Sequence, residues 1–375
     1  MKIACISVSD VPSSKANSIQ MMKACQALAQ LGHAVELILP GEKKLDWEKL
    51  RHFYGLEHPF KVTWLPANPR GRHYDFVLRA VSRARREAAD LIYTWALQAA
   101  VVALLRRLPI LLEMHGPPEG RWGPWLFRAF LSLAGRKRIL PITRALVDLL
   151  EQEYAQRFSP GMAVVSPNGV DLARYQNLPD PVQARRSLNL PEQATAGYTG
   201  HLYPGRGISL LMELAHRFPE VQFLWVGGRP EDVAQWRSKL GAEGIYNVNL
   251  AGHIENERLP GFQAAAEILL MPYEKVIAGS SGGNSAAYCS PMKMFEYMAC
   301  GRAILSSDLP VIREVLNETN ARLCLPEDAA AWSDAFQTLL EDAPLRKQLG
   351  DKAREDVQGF TWEQRARNAL AGFLE

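Results

Sequence analysis

Short apolar runs alternate with helical stretches twice along this 375-residue chain, and the alternation fails once, over 171–191. In the first series the runs at 3–8, 33–39, 62–65, 91–94, 110–114, 139–142 and 163–166 read as strands. The second series reads 194–199, 222–226, 248–251, 268–271, 303–306 and 322–325 the same way. Strands separated by helices in this order build a parallel sheet wrapped on both faces. The first helix shows the pattern: between about 18 and 31, Met21, Met22, Cys25, Leu28 and Ala29 share one face, and Gly32 stops it. Pro179, Pro181 and Pro191 punctuate the polar stretch 171–191, which reads as a link between domains. The chain is also longer than one hydrophobic core usually supports, so two α/β halves of similar size are expected.

Composition narrows the class. Hydrophobic content of 47% and charged content of 22% are ordinary for a soluble globular protein. No apolar run approaches about 18 residues, so no transmembrane helix is expected, and the amino terminus reads as a first strand rather than a signal peptide. Cys5, Cys25, Cys289, Cys300 and Cys324 are scattered without CxxC spacing, which argues for a reducing cytoplasm and against a structural zinc site. Basic residues crowd two places, Arg70, Arg72, Arg79, Arg83, Arg85 and Arg86 in one, and Arg121, Arg128, Arg136, Lys137 and Arg138 in the other. They are either a solvated surface or a face toward an anionic partner. Trp122, Trp125, Leu126, Phe127, Phe130 and Leu131 join the second cluster in an amphipathic helix. Such a helix suits an anionic membrane surface or packs its apolar side within the domain. No nucleic-acid partner is expected.

One segment, 290–315, carries the most chemistry. Pro291 suits the first helical position, where its missing N–H had no partner, and Gly301 suits the stop before the strand at 303–306. The remaining N–H groups of the opening turn and the positive end of the helix dipole form an anion site. Glu296, alone in an apolar turn, is an odd choice for packing and a natural one for gripping a sugar hydroxyl while the helix tip holds a diphosphate. Three loops leave strand ends, where open parallel sheets bind ligands. In the loop 200–207 the glycines allow close approach to an anion, and Arg206 offers a planar fork for phosphate oxygens. The loop 252–254 would read a nucleobase edge through its backbone, with Gly227 allowing close packing. The loop 279–290, rich in glycine and serine, leads into the helix bearing Glu296.

The segment 290–315 (SPMKMFEYMACGRAILSSDLPVIREV) resembles the nucleotide-sugar signature of retaining glycosyltransferases of family 4. Further stretches follow in the family's order: VVSPNGVDLARY at 164–175, TGHLYPGRGISL at 199–210, FLWVGG at 223–228, NLAGHI at 249–254 and MPY at 271–273. The stretches at 24–39 and 111–116 match more loosely. The resemblance implies the GT-B architecture, two Rossmann-like doubly wound domains facing a central cleft. Residues 1–180 would bind the acceptor and 181–360 the nucleotide sugar, with a terminal helix at about 361–375 crossing back onto the first domain.

The resemblance also implies a site. Arg206 stands where the family usually places a lysine on the donor diphosphate, and His201 where it usually has an arginine; Lys293 is a candidate for the missing charge. The usual pair of glutamates eight residues apart is reduced to Glu296, on the ribose hydroxyls, with Tyr288 in place of the first. The donor would further meet Gly200, Gly207, Gly227, Gly252, His253, Ile254, Ser290, Pro291 and Met292. His115, just past the strand at 110–114, would stand near the transferred sugar, and Lys15 and Asn17 would contact the acceptor. The catalytic set is then His115, Arg206 and Glu296.

The expected activity is retaining transfer of a hexose-type sugar from a UDP- or GDP-linked donor to a glycan or lipid-linked acceptor in cell-envelope or polysaccharide biosynthesis. The expected place is the cytoplasm, either free or peripheral at the inner face of the cytoplasmic membrane. No Asp-x-Asp occurs in the chain, so neither a metal nor any other cofactor is expected. Two other readings use the same loops: a nucleotide-sugar epimerase, which needs no acceptor, and a non-catalytic nucleotide-sugar-binding protein. A nicotinamide-dependent dehydrogenase is disfavoured because no G-x-G-x-x-G follows the first strand.

Overall fold

A computed structural model of the protein describes residues 1–43, 45–68, 73–277 and 284–374. Arg70, Arg72 and the glycine-serine stretch 279–283 lie outside the described residues. The chain divides into two compact units, one of Met1–Asn168 with Trp362–Glu375, the other Gly169–Thr361. Residues 169–180, expected in the first domain, group with the second unit.

The first unit holds β1 (Lys2–Ile6), β2 (Ala34–Pro40), β3 (Lys61–Leu65), β4 (Leu91–Thr94), β5 (Ile110–Met114) and β6 (Lys137–Pro141). They pair in the order β3-β2-β1-β4-β5-β6, all parallel. The second unit holds β7 (Thr195–Thr199), β8 (Gln222–Val226), β9 (Val248–Gly252), β10 (Ile268–Met271), β11 (Ala303–Ser307) and β12 (Arg322–Cys324). Their order is β12-β11-β10-β7-β8-β9, again all parallel. Strand order therefore reverses once in each sheet, between β1 and β4 and between β7 and β10. In doubly wound sheets that reversal opens a crevice past the strand ends, and ligands bind there. Central strands are buried along their whole length: every residue of β4, β5, β7, β8, β10 and β11 is buried. This is why they read as continuous apolar runs rather than as alternation.

Three details differ from the sequence reading. The run 163–166 is no strand; it meets β6 in a single bridge, Ile139 with Ala163, although Val164 N–H donates to Ile139 O (3.1 Å) and Ser166 N–H to Pro141 O (2.7 Å). Pro141 and Pro167 have no N–H to continue the ladder. The stretch 171–191 is not a loose linker but carries the helix Pro181–Ser187, capped by the Asp180 side chain, which accepts from Gln183 N–H at 2.9 Å. Asp-Pro there is a helix start, with proline at a position that tolerates it. Finally, Pro291 sits one place before the helix Met292–Cys300, in an extended conformation (ψ 125°), and its carbonyl accepts from Met294 N–H at 3.1 Å. The first-turn amides of Met292 and Lys293 thus have no acceptor within the helix.

Candidate functional site

In the second unit the residues singled out by sequence gather where β7 and β10 end. Thr199, the last residue of β7, donates its N–H to the Tyr297 hydroxyl at 2.8 Å, which ties that strand end to the helix Met292–Cys300. The loop that follows turns on glycines for steric reasons. Gly207 has φ +70°, and a Cβ there would lie 1.7 Å from Pro272 O; Gly227 has φ +117°, and a Cβ would lie 2.2 Å from Gly200 O. Gly227 therefore supports the backbone of Gly200, whose own N–H donates to Val226 O at 2.8 Å. Glu274, just past β10, accepts from Gly205 N–H (3.2 Å) and Gly207 N–H (3.1 Å) and so clamps the chain on either side of Arg206.

Arg206 is held between aromatic rings. Its guanidinium lies 5.0 Å from the Tyr203 ring and 5.2 Å from the Tyr273 ring, and Nη2 donates to the Tyr203 hydroxyl at 2.9 Å. Its Nε is buried and has no hydrogen-bond partner among the described residues. The Lys293 ammonium sits 4.1 Å from the Tyr198 ring and 5.1 Å from the Tyr273 ring. A Cβ on Gly200 would come within 2.8 Å of Lys293 Nζ, so this lysine reaches directly over the loop. Burial first, and then the Arg206 charge, pushes Lys293 well below the ordinary lysine value. Burial, followed by Arg206 and Lys293, holds His201 down at about 4. The imidazole, stacked on Tyr203 at 4.9 Å, is therefore neutral at neutral pH and adds no charge to the loop. Burial also pushes the Cys289 thiol up to about 11, so it is no thiolate nucleophile. Two crowded cations, one with an orphaned donor, form a site that an anion would relieve.

The other second-unit residues fall around this pair. The Glu296 carboxylate accepts from Gln263 Nε2 at 3.2 Å, and Gln263 Oε1 accepts from the Tyr175 hydroxyl at 2.9 Å. Ser290 is buried, and Tyr288 is half-buried with its N–H donating to Ser285 O at 3.1 Å. Gly252 O accepts from Gly227 N–H at 2.6 Å, while His253 is exposed and Ile254 half-buried. This loop ends β9, two strand spacings from β7, or about 10 Å.

In the first unit, His115 lies just beyond β5 and its Nε2 is 3.0 Å from Glu113 Oε1. Glu113 is fully buried inside the sheet and is the centre of a network that sequence reasoning missed. Gln20 Nε2 donates to its Oε1 at 2.7 Å, the Tyr93 hydroxyl donates to Oε2, and Arg365 Nη2 donates to Oε1. Arg365 comes from the terminal helix Trp362–Leu370 and also donates from Nε to Pro167 O at 2.8 Å. Burial alone would raise the Glu113 carboxyl, but Arg365, with help from His115 and Tyr93, holds it below its ordinary value. Asn17 is exposed and locally engaged: it donates to Ser9 Oγ at 3.3 Å and accepts from Ser18 N–H at 2.9 Å. Lys15, also exposed, precedes the helix Ala16–Gln30.

The aromatic stripe splits. Phe127 and Phe130 are fully buried and stack at 5.9 Å, so this part of the stripe is core. Trp122 and Trp125 are 50% and 61% exposed, with Arg121 5.3 Å from the Trp122 ring. Among the described residues no helix is long and apolar enough to cross a membrane.

Two parallel sheets in the order of a dinucleotide-binding fold, the second bearing two cations at its switch point, define a protein of the two-unit Rossmann-like class. Comparisons with known proteins narrow the class. The chain matches "Glycosyltransferase Family 4" over residues 19–174 and "Glycosyl transferases group 1" over 193–342. It is 28% identical over 238 residues to the phosphatidyl-myo-inositol mannosyltransferase of Mycolicibacterium smegmatis, an alignment covering 59% of this chain and 54% of that protein. The chain thus spans about half the length of the curated relatives it matches. Among solved structures, Anabaena HepE in complex with UDP superposes with a TM-score of 0.74 at 18% identity, covering 98% of each chain. A Rickettsia africae glycosyltransferase superposes with a TM-score of 0.77 at 13% identity, covering 98% of this chain and 97% of the other. The chain belongs to glycosyltransferase family 4 and has the GT-B fold.

Proposed function

We propose that the protein transfers a sugar from a UDP- or GDP-linked donor to a glycan or lipid-linked acceptor, with retention at the anomeric carbon and without a divalent metal. The observation that carries this reading is the buried Nε of Arg206, without a partner among the described residues, beside Lys293 at the switch point of the second sheet. The diphosphate is held there by both cations and by the amides of Met292 and Lys293, and Glu296 takes the ribose hydroxyls. The base lies against 252–254, whose distance from β7 suits the span from diphosphate to base. Tyr288 or the backbone near Cys289 takes the sugar contact of the absent first glutamate, and His115 hydrogen-bonds a hydroxyl of the transferred sugar. The first unit, with Lys15 and Asn17, serves the acceptor.

As the glycosidic bond to the diphosphate breaks, charge grows on the leaving oxygen. Fixed donors aimed at that charge are usually the largest catalytic contribution. The acceptor oxygen forms its bond on the same face, and its proton passes to the departing phosphate. No enzymic nucleophile is required. A thermal-shift panel of nucleoside diphosphates tests the reading: a bound nucleotide raises the melting temperature by mass action, and no shift with either UDP or GDP would remove it.

The depressed Lys293 value has a consequence for binding. A diphosphate favours the ammonium form and raises that value again, so nucleotide binding takes up a proton where pH lies above the free-protein value of Lys293. The sign follows: affinity is full below the free-protein value of Lys293 and weakens as pH rises through it. Calorimetric titration with UDP or GDP in buffers of different ionisation enthalpy should report net proton uptake, lost in Lys293→Met and unchanged by EDTA.

A lipid-linked acceptor draws support from the name of the mycobacterial relative and from the exposed Trp122 and Trp125 beside Arg121 and Arg128. Aromatic and basic side chains together suit a peripheral seat on an anionic bilayer. Flotation with anionic but not neutral liposomes is expected, reduced in the Trp122→Ser, Trp125→Ser double variant; equal recovery in all arms contradicts a membrane role.

A further inference from the structure

We propose that Glu113 is a positioning residue that fixes His115 as the Nε2–H tautomer and leaves Nδ1 as a hydrogen-bond acceptor for a sugar hydroxyl. The inference rests on the assignment of His115 to the transferred sugar.

An ionised carboxylate only accepts hydrogen bonds, at about four lone-pair sites. Arg365 has nothing but donors, and its Nη2 is aimed at Oε1. The Tyr93 hydroxyl already accepts from Arg365 Nη1 at 3.1 Å, so its own proton goes to Glu113 Oε2. Gln20 has no freedom either. The Trp95 indole N–H can only donate, and it donates to Gln20 Oε1 at 2.8 Å, which turns the Gln20 amide NH₂ toward Glu113 Oε1 at 2.7 Å. The last neighbour, His115 Nε2 at 3.0 Å, faces an acceptor and must bring the proton.

A neutral imidazole carries one N–H, and the partner of one ring nitrogen decides the role of the other. In that neutral form, with Nε2 committed to the buried carboxylate, Nδ1 is the acceptor. The His115 side chain is 31% exposed while that of Glu113 is 0% exposed, so one part of the imidazole is anchored and another remains open to a ligand. Arg365 extends this control to the end of the chain. By holding Glu113 ionised, the terminal helix sets which nitrogen of a histidine some 250 residues earlier in sequence bears the proton.

The test reads the tautomer directly, through long-range ¹H–¹⁵N correlation spectra of protein labelled at histidine nitrogens, near neutral pH. The His115 signals are assigned by their loss in His115→Gln. The expected wild-type pattern is a single Nε2–H tautomer, giving way to a tautomer mixture in Glu113→Gln. Nδ1–H or an averaged pattern in the wild type overturns the proposal, and that measurement needs no variant of Glu113 to fold. A spectrum unchanged in Glu113→Gln overturns it equally. In the transferase assay Glu113→Gln should lower kcat by about tenfold or more, with the donor KM little changed. Full activity of His115→Gln would instead remove the role of His115 itself, and with it the sugar hydroxyl as ligand of Nδ1, whatever the spectrum shows.

Discussion

Replacing Arg206 with alanine is expected to lower turnover by a factor on the order of a hundred, the usual cost of removing one fixed donor from a developing charge. The unliganded protein should melt at or close to the wild-type temperature, and UDP or GDP should no longer shift it. The reason lies in what Arg206 does without a ligand. Its contacts with the Tyr203 and Tyr273 rings at 5.0 and 5.2 Å stabilise the fold by roughly 1 kcal/mol each. Against that stand a buried Nε with no partner among the described residues and the repulsion that helps depress Lys293. Removing the side chain gives up the first and relieves the second, so the loss appears in ligand binding and rate. A variant that unfolds early would mean that Arg206 is a structural cation; one that remains fully active would mean that the diphosphate lies elsewhere. Turnover with a donor panel and melting with and without nucleotide separate these outcomes.

Arg365→Ala is expected to destabilise the first unit by about 3–5 kcal/mol, because it strands a buried carboxylate. In the wild type, Arg365 lowers the Glu113 carboxyl below its ordinary 4.5, so the pair's contribution is full above that value and is lost as pH falls through the lower folded one. Without Arg365, burial dominates and the folded value rises. The variant should then be least impaired below the ordinary carboxylate range and lose stability as pH rises through the new folded value. Melting curves at about pH 5 and about pH 8 check this: the gap between variant and wild type should widen at the higher pH. Glu113→Gln, Arg365→Met together should recover part of the loss, since removing both charges leaves no orphan.

The architecture was readable because its strands are buried on both faces and so stand out as apolar runs between helices. What failed was punctuation. Prolines at 179, 181 and 191 suggested a linker, whereas Asp180-Pro181 opens a helix whose Arg185 is buried against Ala265 O at 2.9 Å and paired with Glu267 at 2.8 Å. That partnership spans some 80 residues of sequence, and local pattern does not carry it. The same holds at the site. Arg206, Lys293 and Glu296 were legible because strand-end loops and a helix start impose local chemistry. Glu274 and the Tyr203–Tyr273 pair around Arg206 were not, because only the meeting of β7 and β10 gives them a role. Glu113 did leave a signal. An acid inside Ile110–Met114, a strand otherwise apolar, is as anomalous as Glu296 in its helix. The partner that makes it tolerable, Arg365, lies at the other end of the chain.

The most direct measurement is a crystal structure of the protein soaked with UDP or GDP in the presence of EDTA. Diphosphate density within hydrogen-bond reach of Arg206 Nε, Lys293 Nζ and the amides of Met292 and Lys293 is the expected result. Density elsewhere, with Arg206 Nε still unpartnered, would contradict the assignment of the anion site.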